Sequence, residues 1–150
     1  MELHLQSKIK LLDDKEMPVM GLGVYNAKEE TKNAVLAALE AGYRLIDTAA
    51  FYGNEREVGE AIKESDVPRE EIFLTTKVWN DAQRKGQQRE SLERSLELLG
   101  VDYLDLYLVH WPIPDKMKET WKILERAKEE GIIKSIGVSN FLEHHLEELS

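Results

Sequence analysis

Short, nearly continuous apolar runs recur along this chain, each separated from the next by a longer amphipathic run. No other feature constrains its fold as strongly. Runs such as IFLTTKV and LDLYLVHW lack the alternation of a strand with one wet face. They read as strands covered on both faces, as in a parallel sheet under helices. Strands are predicted over residues 21–25, 44–49, 72–78, 103–111 and 135–139. The intervening runs space apolar residues by three and four, as in Val58 and Ile62, Leu92, Leu96 and Leu99, or Met117, Trp121 and Leu124. Helices are therefore predicted over 29–41, 55–65, 87–99, 116–130 and 142–149. Asn54 followed by Glu57 reads as a helix N-cap with its capping-box partner. Gly42, Gly100 and Gly131 stand where helix ends need a left-handed residue. The segment KIKLLDDKEMPVM reads as a hairpin around a polar turn, with Pro18 marking an edge arm.

A hairpin followed by five βα units permits either a doubly wound sheet or a barrel. With no linker or low-complexity stretch, residues 1–150 are expected to belong to one domain. The net charge of −9, spread over the sequence, argues against a nucleic-acid partner, which needs a basic face. The absence of cysteine excludes a disulfide frame and a thiolate zinc site, and fits a reducing compartment. The first residues, MELHLQSKIK, lack the apolar core of a signal peptide, and no run reaches the roughly 20 apolar residues of a membrane span. The expectation is a cytoplasmic protein with no membrane partner.

In βα proteins, ligands meet the carboxyl ends of the strands. Three successive strand runs carry an ionisable residue there: Asp47 in RLIDTA, Lys77 in IFLTTKV and His110 in LYLVHW. Tyr52 follows Asp47 by five positions, in the loop AAFYGN. Each shares the phase of neighbours that would face inward: Leu45 with Asp47, Phe73 and Thr75 with Lys77, Leu106 and Leu108 with His110. Buried charges need partners, and an aspartate and a lysine on adjacent strands supply each other. The pair could be a structural ion pair; four polar residues converging on one rim favour chemistry.

The stretches GYRLIDTAAFYGNEREVG (42–59) and LLGVDYLDLYLVHWP (98–112) resemble the two signatures of the aldo-keto reductase family, and TTKVW and IGVSNF match further segments in order. The wording is most similar to bacterial members of the 2,5-diketo-gluconate and methylglyoxal reductase type. The resemblance runs from Gly21 almost to the end of the chain. It implies an α/β fold, a partial TIM (β/α)8 barrel in which this chain supplies the hairpin and five of the eight units. The units carrying most dinucleotide contacts would then be missing, so the 150-residue chain is expected to be an inactive N-terminal part. By itself it would self-associate or need its C-terminal half; a full-length form would be a monomer.

The resemblance also implies reduction of a small-molecule aldehyde or ketone by NADPH, with Tyr52, Lys77, Asp47 and His110 as the catalytic set. Hydride addition puts negative charge on the carbonyl oxygen, so a donor must sit where that charge develops. A tyrosine hydroxyl can give the proton, but its reference pKa of about 10 makes it a poor acid near neutrality without help. An adjacent ammonium favours the phenolate, an aspartate holds that ammonium, and a histidine orients the carbonyl oxygen. Gly23, Val24, Asp47, Ser139 and Asn140 would bind cofactor, the first two through backbone. Asn140 could equally cap the last helix. Tyr25, Trp79 and Trp111 would wall the substrate pocket, or simply pack under loops. No metal site is expected, and His4, His144 and His145 receive no role, the last two being placed on a solvated helix face. A non-catalytic binding or regulatory module on the same scaffold is the alternative.

Overall fold

The apolar runs do form parallel strands. The computed structural model describes residues 2–150. A short antiparallel hairpin, β1 (Lys8–Lys10) and β2 (Glu16–Pro18), comes first, with Pro18 opposite Lys8 at its edge. Five strands follow: β3 (Gly21–Gly23), β4 (Leu45–Asp47), β5 (Phe73–Val78), β6 (Leu104–Val109) and β7 (Ile133–Val138). Each pairs in parallel with the next, so spatial order equals chain order. The crossovers carry α1 (Thr31–Ala41), α2 (Glu55–Glu64), α3 (Asn80–Arg84), α4 (Gln88–Leu99) and α5 (Met117–Glu129), and α6 (Glu143–Leu149) follows β7. A doubly wound sheet reverses its strand order at a switch point; here no reversal occurs. The five strands are consecutive staves of a TIM barrel, with β3 and β7 as the two edges.

Helices cover one face of the sheet. Val35 and Leu39 of α1, Val58 and Ile62 of α2, Leu92 and Leu99 of α4, and Leu124 of α5 pack on Ile46, Leu74, Val78, Tyr107 and Val109. These residues are almost wholly buried, and each large aliphatic among them contributes about 1.5–3 kcal/mol by leaving water. The other face is the barrel interior. The register puts Leu45 beside Phe73, Asp47 beside Thr75, Thr75 beside Leu106 and Lys77 beside Leu108, as the strand phases predicted. Gly42 and Gly100 end α1 and α4 in the left-handed conformation, and Gly131 adopts it just after α5.

Two local expectations need correction. Asn54 precedes α2, but its side chain makes no capping bond. It is drawn into the core instead, where buried partners that cannot reach water compete for it. β4 stops at Asp47 rather than at residue 49, because residues 50–52 turn into a single 3-10 coil that carries Tyr52. On α6, His144 is exposed and His145 partly so; the His145 Nδ1 accepts the Leu142 N–H at 2.9 Å and its ring lies edge-on to Phe141.

The hairpin reaches across the open barrel. Asp13, in its turn, accepts hydrogen bonds from Lys128 of α5 at 2.6 Å and Ser135 of β7 at 2.7 Å. Burial works against the ionised Asp13, but Lys128, Ser135 and the Lys15 amide together hold its pKa down at about 2. A crevice of about 920 Å³ runs along the β7 edge beside this contact, lined by Leu11, Leu106, Leu108, Trp121 and Gly137 among others.

Helices α2 and α4 approach each other closely at Gly59. A Cβ there would lie 2.3 Å from the carbonyl oxygen of Leu99, a backbone atom that cannot rotate away. Gly59→Ala is therefore expected to destabilise the fold by about 2 kcal/mol or more despite its gain in helix propensity, measured by urea unfolding. Unchanged stability would show that α2 and α4 do not meet at Gly59.

Candidate active site

Asp47 ends β4, Lys77 lies near the end of β5, and His110 directly follows β6. Because those strands are neighbours and in phase, the three side chains emerge on one arc of the C-terminal rim. Lys77 is 5% exposed, and its ammonium is satisfied entirely by protein. It donates to both carboxylate oxygens of Asp47, at 3.0 and 2.9 Å, and to the Thr48 carbonyl at 3.0 Å. It also lies 3.2 Å from the Tyr52 hydroxyl. The carboxylate offsets a desolvation penalty of several kcal/mol that an isolated buried ammonium would carry.

His110 is 8% exposed and faces Tyr52 edge to ring, with centroids 5.8 Å apart. Burial, with the Lys77 ammonium nearby, pushes its pKa down to about 4. It is neutral at physiological pH, one ring nitrogen bearing hydrogen and the other bare. Its backbone nitrogen donates to Val78 at 3.2 Å, while Nδ1 is buried without a protein partner.

Aromatic rings surround this group. Tyr25, 68% exposed, leans on Tyr52 with centroids 5.1 Å apart. Trp79 meets His110 edge-on at 5.1 Å. Trp111 is half-exposed, and its carbonyl accepts from the buried Gln83 of α3 at 3.2 Å. Phe51 was not anticipated: it stacks on Trp79 at 3.9 Å with 18° between the ring planes, half in solvent. Its only sequence signal is its position beside Tyr52 in the turn.

Of the residues expected to touch cofactor, Gly23 pairs with Asp47 in the β3–β4 register, and Val24 donates its N–H to the Asp47 carbonyl at 3.1 Å. A Cβ on Gly23 would approach only Asp47 Oδ2, at 4.0 Å, so the missing side chain leaves the rim open above that carboxylate. Ser139 follows β7 and donates its N–H to Val109. Asn140, with φ of 61°, turns its amide back onto the His110 carbonyl at 2.9 Å and the Ser139 hydroxyl at 3.1 Å. It does not cap α6, which begins after Leu142. Ser139 and Asn140 are thus tied to the His110 stave, beside the cluster.

Comparison with known proteins covers the stretch of chain that holds these residues. The aldo/keto reductase family model matches residues 19–150. The chain is 54% identical over 143 residues to the 9,11-endoperoxide prostaglandin H2 reductase of Trypanosoma cruzi, covering 94% of this chain and 50% of that protein. It is 52% identical over 151 residues to the glyoxal reductase of Bacillus subtilis, covering 99% of this chain and 55% of the relative. It spans about half the length of these curated relatives. Among solved structures, an aldo/keto reductase from Brucella melitensis superposes with a TM-score of 0.91 at 49% identity, over 95% of this chain and 57% of that one. A Bombyx mori aldo-keto reductase in complex with NADP gives 0.88 at 42% identity, over 98% and 54%. The chain belongs to the aldo/keto reductase family.

Proposed function

We propose that this chain carries the proton-donating and carbonyl-orienting part of an NADPH-dependent reductase acting on small aldehydes and ketones. One observation carries the reading: a buried Lys77 ammonium that bridges the Asp47 carboxylate and the Tyr52 hydroxyl at the strand-end rim, with neutral His110 alongside. The name of the Bacillus relative agrees with carbonyl reduction, since glyoxal is a small dicarbonyl, while that of the Trypanosoma relative points to reduction of an endoperoxide. The Bombyx complex supports an NADP-type cofactor.

The bound nicotinamide would supply hydride to the carbonyl carbon. Tyr52 gives its hydroxyl proton to the carbonyl oxygen as charge develops there. The Lys77 ammonium stabilises the phenolate left behind, and Asp47 keeps that ammonium charged and aimed. His110, uncharged, donates one hydrogen bond that orients the same oxygen. Tyr25, Phe51, Trp79 and Trp111 would wall the substrate at the rim. Ser139 and Asn140 would hold the carboxamide of the nicotinamide, and Gly23 and Val24 would approach the cofactor through backbone, with no Cβ on Gly23 to obstruct the rim above Asp47. These contacts anchor one end of a dinucleotide only. We therefore expect the 150-residue chain alone to lack turnover, and its open β3 and β7 edges to make it self-associate or pair with the half its relatives carry.

Residues 1–150 joined to the remaining half of the Bacillus glyoxal reductase should oxidise NADPH in the presence of methylglyoxal, whereas residues 1–150 alone should not. In the joined protein Tyr52→Phe should lower kcat by about 10²–10⁴-fold. Activity within threefold of the parent would remove Tyr52 from the mechanism.

His110 gives a pH test that does not depend on turnover. Its folded pKa, about 4, lies below the unfolded value near 6.5. Its contribution to stability is therefore complete above about pH 6.5 and is lost as pH falls from there through 4. Between pH 7 and 4.5 the loss should be about 2 kcal/mol, and His110→Asn should remove that part of the acid limb in urea unfolding. Parallel acid limbs for the two proteins would refute a neutral buried imidazole.

A further inference from the structure

Two positions after Tyr52, an asparagine in a strand-to-helix loop is 4% exposed. Loop amides ordinarily face water, so the burial of Asn54 needs a reason. Its side chain is bonded on both ends. Nδ2 donates to the Val24 carbonyl at 2.9 Å and to the Thr31 hydroxyl at 3.2 Å, and Oδ1 accepts from the Thr48 hydroxyl at 2.7 Å. The orientation of the amide is forced, because the Val24 carbonyl can only accept. Thr31 passes its own proton to the Lys28 carbonyl at 2.7 Å, which leaves its oxygen to receive from Asn54. One amide thus joins the end of β3, the start of α1 and the residue after β4.

Those attachments surround the segment that carries Tyr52. Its backbone is held by local turn bonds, Tyr52 N–H to Ala49 and Gly53 N–H to Ala50, and these fix its shape but not its place. Its far end is tied down by Asn54 and by Glu55, whose carboxyl accepts from the Thr76 hydroxyl at 2.6 Å, one residue before Lys77. Its near end is Thr48, whose hydroxyl goes to Asn54 and whose carbonyl receives the Lys77 ammonium.

We propose that Asn54 is a positioning residue for Tyr52: its buried amide pins the Tyr52 turn to β3, α1 and β4 and so keeps the phenol within hydrogen-bond reach of Lys77. The residue type follows from the partners. An aspartate would set a carboxylate against the Val24 carbonyl with Thr48 as its one remaining donor. A serine cannot span the three partners. The positioning is a property of the fold; its catalytic consequence rests on the reductase reading above.

The test uses the 150-residue chain and two variants, Asn54→Asp, which keeps the size and the Thr48 bond, and the milder Thr31→Val, which removes one acceptor. Amide hydrogen exchange by NMR should be at least tenfold faster at Tyr52 and Gly53 in Asn54→Asp, and faster to a smaller degree in Thr31→Val, with the amides of β5 and β6 within threefold of the parent. A residue with a merely structural role would raise exchange across β5 and β6 as well, and that uniform pattern, or no change at Tyr52 and Gly53 in either variant, would overturn the proposal. In the protein joined to the Bacillus half, Asn54→Asp should lower kcat at least tenfold with the KM for NADPH unchanged. If Tyr52→Phe is fully active there while exchange still loosens locally, the reductase reading fails and the positioning stands. If Tyr52→Phe is inactive and Asn54→Asp is neither loosened nor slowed, the positioning fails alone.

Discussion

An ammonium group shut away from solvent must find its compensation inside the protein, and much of this molecule is arranged around one. Lys77 has four acceptor atoms within 3.2 Å, drawn from the end of β4, the residue after it and the turn beyond. Removing the carboxylate of a buried pair commonly costs 3–5 kcal/mol, because the remaining charge stays uncompensated. The β4–β5 register, the length of β4 and the path of the Tyr52 turn are therefore tied to one electrostatic requirement. The same charge helps to keep His110 neutral on the next strand. On the proposed reading, the hydrogen bonds that hold this rim together are also those that would serve its chemistry.

Sequential strand order is what makes such an arrangement simple. When each strand neighbours the next in the chain, residues of like phase at successive strand ends form a continuous arc. Asp47, Lys77 and His110 need no long loop to meet. The aromatic rings occupy the loops just beyond the same ends, where length and sequence can vary without disturbing the sheet.

Much of this was legible in the sequence because periodicity and packing agree there. The near-unbroken apolar runs became β5 and β6, and the three-and-four spacing of Leu92, Leu96 and Leu99 became α4, while β7 begins two residues before its expected start. The strand phases that linked Leu45 to Asp47 and Thr75 to Lys77 were those of the register found. What escaped was set by tertiary competition. Asn54 fits a capping pattern, yet Val24, Thr31 and Thr48 hold its amide more firmly than a helix end in water would. Phe51 has no periodic neighbour to mark it, and its partner Trp79 lies 28 positions away on another loop. The short α3 is held by Gln83, whose bond to the Trp111 carbonyl likewise joins distant positions.

The hairpin contact with α5 and β7 has a consequence for the order in which the chain can be assembled. Asp13 and Lys128 are 115 positions apart, so their bond closes a long loop of chain. During synthesis the hairpin leaves the ribosome long before its partners exist, while each βα unit finds the previous one at once. Until Lys128 and Ser135 arrive, Asp13 remains an ordinary solvated carboxylate, and the two ends of the growing sheet are free to splay. The α5–β7 unit therefore does more than extend the row: on arriving it fastens the hairpin to the fifth parallel strand, a closure entropically costly and slow to form.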